Sequence, residues 1–128
     1  MDTETQTEIA WDLLDRRKVA DLVNKEGAAR VLSTMMSEPP APEERIAAMK
    51  DMAVAGNILQ LRAETTIFLD WANSHGLRRL SNALVELDRV LNLPARGQAI
   101  LQAQALTRFI ALHQDQDIKA FQRAVSST

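Results

Sequence analysis

The chain has 128 residues, a formal net charge of −2, 46% hydrophobic and 25% charged residues, and no cysteine. That is enough chain to bury a core, and it excludes disulfides, thiolate metal sites and cysteine nucleophiles while offering no overall attraction to nucleic acid or an anionic membrane. No apolar run nears the ~18 residues of a membrane span, and the acidic start from Met1 to Thr5 is unlike the basic, then apolar, opening of a secretory leader, so the expected location is the cytoplasm.

Residues 1–15 carry five carboxylates and no cation, whereas Arg16, Arg17, Lys18, Lys25 and Arg30 follow closely. On one helix that order complements the macrodipole. A first helix is expected from Thr7 to about Asn24, with Ile9, Leu13, Ala20 and Val23 at helical spacing. Gly27 marks a short break, and Ala28 to Ser37 reads as a second helix. Together 7–37 make an expected N-terminal helical hairpin.

Glu38-Pro39-Pro40-Ala41-Pro42 cannot continue a helix, because proline lacks the donor and restrains the residue before it. Residues 38–42 are thus a linker, and Pro42 with Glu43 and Glu44 opens the next helix. The pattern from Pro42 to about Ser74 is helical, with Gly56 either a kink or a close crossing. Leu77, Leu80, Leu84, Leu87 and Leu91 repeat at alternating spacings of three and four, an amphipathic helix ending before Pro94. Residues 98–113 hold one formal charge, Arg108, so that segment is expected to be a central helix. A last helix is expected to be capped by Asp115 or Asp117, with Ile118, Phe121 and Val125 inward. The reading is an all-α, single-domain bundle of five to six helices over 1–128, with 42–126 as the main bundle.

Three functional readings follow. Met35, Met36, Met49 and Met52 flank the proline segment, and methionine adapts to partner helices. They are the expected contact surface of a small non-enzymatic adaptor, regulator or inhibitor that binds a protein partner, with a homodimer as a further option. The alternative is a DNA-binding regulator using a helix-turn-helix-like stretch at 16–36, with Arg16, Arg17, Lys25 and Arg30 near phosphates.

The third reading starts from Arg108-Phe109-Ile110-Ala111-Leu112-His113. This arginine and histidine, four residues between them, resemble the motif of HEPN ribonucleases, helical bundles that usually dimerise to form the active site. The resemblance covers one hexapeptide. It implies His113 as general acid/base and Arg108 as a stabiliser of phosphate charge. The family usually has a polar residue after the arginine; here it is Phe109. His75 and His113 have no second ligand at helical spacing and the four glycines are isolated, so neither a metal nor a cofactor is expected.

Overall fold

Caps and left-handed turns divide this chain into helices. The computed structural model describes residues 13–37 and 41–127, with side chains at 36 and 37 excepted. Within them lie six helices and no strand: α1 Arg16–Glu26, α2 Ala28–Ser37, α3 Pro42–Ala55, α4 Ile58–Ser74, α5 Arg78–Leu91 and α6 Arg96–Ser127. The protein is an all-α bundle.

The expected helix from Thr7 to Asn24 is corrected: the chain breaks at Leu14 and Asp15, and α1 starts at Arg16. Asp15 is extended (φ −93°, ψ 103°), and its carboxylate accepts from the Lys18 N–H at 3.2 Å. It acts as an N-cap. Its own N–H donates to the Gly76 carbonyl at 2.8 Å, tying the start of α1 to the α4–α5 turn. The first turn of α1 therefore holds Arg16, Arg17 and Lys18 and no acid, the reverse of the charge order expected. Residues 7–12 of the expected helix lie outside the described residues, as do 38–40 of the linker.

Gly27 (φ 87°) joins α1 to α2, and its N–H closes α1 on the Val23 carbonyl at 2.8 Å. α3 opens with Pro42 in its first turn, followed by Glu43 and Glu44, where a missing N–H costs nothing and carboxylates meet the positive helix end. The 42–74 stretch is two helices. Gly56 is left-handed (φ 72°, ψ 22°), and Asn57 donates to the Met52 carbonyl at 2.9 Å, so orphan carbonyls of α3 are satisfied before α4 begins. A second left-handed glycine, Gly76 (φ 69°), separates α4 from α5.

α6 corrects another expectation. Residues 98–113 and the supposed last helix are one uninterrupted element of 32 residues, about 48 Å long at 1.5 Å per residue. Neither Asp115 nor Asp117 caps anything. Asp117 is buried and pairs with Arg79 of α5 at 2.7 Å, so its charge is met from another helix.

α6 is the common wall. It packs against α3, α5, α1 and α2, while α4 packs on α3 and α5. The Ala53 carbonyl accepts from Gln104 at 3.3 Å, whereas Pro42, at the other end of α3, shares a cavity with Gln114 and Ile118; α3 and α6 run antiparallel. One apolar cluster extends from Leu14 and Val19 through Ile46, Leu61, Phe68 and Leu84 to Phe121 and Val125. The five leucines from Leu77 to Leu91 are all buried in it, as their spacing requires. Each fully buried side chain of this size contributes about 1.5–3 kcal/mol. His75 joins the cluster through its ring, 4.6 Å from Trp71 and 5.7 Å from Phe121, and its Nδ1 lies 2.8 Å from the Trp71 carbonyl. A carbonyl only accepts, so Nδ1 carries the proton.

Candidate interaction surface

The segment expected to be central is buried on one side only. Ala99, Ala103, Thr107 and Ile110 face the core. On the opposite side Leu101 is 68% exposed and Leu112 76%, with Ala105 exposed between them and Phe109 beside them at 43%. These positions recur at helical spacing over about three turns, some 16 Å of helix. The correction has a physical cause. α3 and α5 flank α6 on its inner side, and small residues there let the helices approach, which leaves the larger aliphatic groups on the outer face.

Val54 (74% exposed) and Leu59 (78%) sit beside the α3–α4 turn. That turn lies against the N-terminal part of α6, because Arg96 donates to the Gly56 carbonyl at 3.3 Å and Gln104 reaches Ala53. A lone exposed leucine is ordinary; a contiguous row of them marks a contact surface.

Arg108 stands in the middle of the stripe, exposed, with no ion pair among the described residues. Asp115, about two turns on, is already paired with Lys119 at 3.0 Å. The outer face of α6 is thus apolar with one open cation at its centre.

Arg108 and His113, the pair suggested by the ribonuclease motif, lie on this same helix, but five positions apart they diverge by about 140° around its axis. Arg108 faces solvent. His113 is half-buried, its ring 4.5 Å from that of Phe109 and its carbonyl 3.4 Å from the Arg79 guanidinium. The two side chains do not converge within one copy of the chain.

The methionines are elsewhere. Met35 and Met49 are fully buried and Met52 is half-buried against the core. This corrects the expected contact surface: these side chains fill the space where helices meet. The Met36 side chain lies outside the described residues. Of the cations considered for DNA, Arg17 and Lys25 are exposed, and Arg30 is exposed 3.8 Å from Glu26 of its own helix neighbourhood. Arg16 and Lys25, nine positions apart on α1, point about 180° away from each other. The set spreads around the helix instead of lining one side.

Two ion pairs escaped the sequence reading. Arg45 meets Glu64 at 3.2 Å across α3 and α4, its guanidinium 5.5 Å from the Phe68 ring. Arg79 binds Asp117 through two nitrogens, at 3.0 and 2.7 Å, and also donates to Gln116 at 2.9 Å. Burial pushes the Asp117 carboxyl above the usual range, and the Arg79 charge offsets this only in part. Partners 38 residues apart leave no local signal. Among the described residues no group of His, Asp or Glu is placed to hold a metal ion, and no helix is long and apolar enough to cross a membrane.

Comparison with protein-family models, with curated proteins and with solved structures found no match.

Proposed function

We propose that this protein is a small non-enzymatic interaction module, an adaptor or regulator, whose α6 outer face receives an amphipathic helix from a protein partner. The observation that carries this reading is the row Leu101, Ala105 and Leu112, flanked by Phe109 and left in water. Covering one such side chain contributes about 1.5–3 kcal/mol, and apolar anchors at this spacing match a helix laid alongside. Arg108 selects the partner's charge. An unpaired cation enclosed in an apolar contact is costly, so the arriving helix carries a carboxylate opposite it. A second copy of this chain would bring another Arg108, and the one carboxylate on the described outer face, Asp115, is engaged by Lys119. Charge complementarity therefore favours a different, acidic partner.

The test is a photo-crosslinking residue at position 105 of the full chain, in cells that naturally make it, with the same residue at exposed Ser74 as control. The expected product joins the chain to one other protein, is lost in Leu112→Glu, and is lost in Arg108→Glu but recovered when the partner's carboxylate is changed to lysine. A product joining the chain to itself would replace the acidic partner by a second copy. Equal products at 105 and 74 would overturn the docking face altogether.

A further inference from the structure

A second feature shares no residue with the α6 face. Where Asp15 is hydrogen-bonded to Gly76, the N-termini of α1 and α5 open onto one cleft of about 420 Å³, within the size range of small-molecule sites. Lys18 and Arg78 supply two cations there, and Asn73, Asn82 and Ser81 supply neutral polar groups. α5 has no side-chain cap at Leu77; the Arg78 N–H turns back to the Gly76 carbonyl at 3.0 Å, and the N–H groups of Arg79 and Leu80 are left among the orphan donors of the helix end.

Ser81 is the observation that points to a ligand. The buried hydroxyls of Thr65 and Thr107 bond back to the carbonyls of Leu61 and Ala103, at 2.7 and 2.9 Å. Ser81 is only 8% exposed, lines the cleft, and its hydroxyl has no hydrogen-bond partner among the described residues. What exposure Ser81 keeps is toward the cleft, so its hydroxyl is open to a bound acceptor or donor there.

We infer that this cleft binds a small phosphorylated polyol, its phosphate held by Lys18, Arg78 and Ser81 and its hydroxyls by Asn73, Asn82 and Asp15. Two cations beside two helix N-termini suit a dianion better than a neutral ligand. Asp15 is the one carboxylate lining the cleft. One of its oxygens accepts from Lys18 N–H, and the other remains to accept a hydroxyl, a group that a bare inorganic anion does not offer.

The test is titration of the full chain with glucose 6-phosphate, inorganic phosphate, acetate and glucose, followed by amide chemical shifts. Saturable shifts at Lys18 and at Arg78 to Ser81, tighter for the sugar phosphate than for inorganic phosphate, are expected. Arg78→Gln should weaken binding about tenfold, the loss of one charge-assisted contact. Ser81→Ala should weaken it by a smaller factor, and Arg123→Gln should leave it unchanged. Equal binding of acetate would overturn the phosphate assignment, and equal binding of inorganic phosphate would overturn the polyol part. Shifts that never saturate, or an affinity that Arg78→Gln leaves unchanged, would overturn the site. Arg78 is exposed, so its variant tests the cleft without threatening the core.

Discussion

Replacing Gly76 by alanine tests the junction on which both ends of the bundle depend. The substitution has two separable costs. Gly76 has φ +69°, where a Cβ costs roughly 1–2 kcal/mol against the adjoining backbone. The added Cβ would also stand 3.1 Å from the Asp15 carbonyl oxygen, 3.1 Å from Lys18 Cβ and 3.2 Å from Val19 Cγ2. Carbon atoms prefer ~3.5–4.0 Å, so several tenths of an ångström must open. None of the three atoms is the far end of a flexible chain, and the Asp15 N–H is held to Gly76 at 2.8 Å. Relief therefore requires α1 to move off the α4–α5 turn, an overpacking cost of about 1–3 kcal/mol. Gly76→Ala should lose about 2–4 kcal/mol in total. Gly56→Ala is the internal control: its φ is +72°, but its nearest neighbour is Ile100 Cδ1 at an ordinary 3.4 Å, so it should lose only the backbone part. Urea unfolding followed by circular dichroism measures both. With slopes of about 1–3 kcal/mol/M, the Gly76 variant should show a midpoint lower by roughly 1 M or more. If it loses no more than the Gly56 variant, the junction is softer than its contacts imply and the reasoning fails.

Two leucines on helices that touch should behave oppositely. Leu84→Ala, in the core, should cost about 2–5 kcal/mol, while Leu112→Ala, on the outer face of α6, should stay within about 0.5 kcal/mol in the same assay; a large loss at Leu112 would mean that its face is already covered. Asp117 gives a pH signature of unusual sign. Its folded carboxyl is raised above the ordinary value of 3.8, so the folded state holds the proton more tightly than the unfolded chain. The stability it contributes is fully present below that ordinary value and is lost as pH rises through the folded one. Stability of the native chain relative to Asp117→Asn should therefore fall as pH climbs from about 3.8 upward. A relative stability that grows over this range would show that the attraction of Arg79 outweighs burial.

The legible parts of this fold are those with a local cause. The leucines from Leu77 to Leu91 define α5 because their spacing is itself the buried stripe. Pro42 and the glutamates after it define the start of α3 because they act on their own turn. What escaped depends on distant residues. Asp15 sits in an acidic run that reads as one helix, and it becomes a cap where its N–H meets Gly76, 61 residues away. Asp117 resembles a helix start until Arg79 is seen beside it. The α6 face was visible as a row of apolar residues with one charge, but periodicity cannot say whether such a row is enclosed or left outside. The methionines illustrate the converse: a residue type suited to binding partners is equally suited to filling a core, and at Met35 and Met49 the core holds them.

The dependence of α1 and α2 on α6 bears on the order in which the molecule opens. α3, α4 and α5 are each packed on the next element in the chain, whereas α1 and α2 rest on each other and on α6. The latter contacts close loops of about 60 or more residues, whose entropy is lost before any packing repays it. The amides of α1 and α2 should therefore exchange with solvent through partial opening, while those of α5 and the inner side of α6 wait for global unfolding. Since the Asp15–Gly76 bond ties the start of α1 to the α4–α5 turn, that opening would also dismantle the cleft beside it, and a ligand held there would slow exchange across both N-terminal helices.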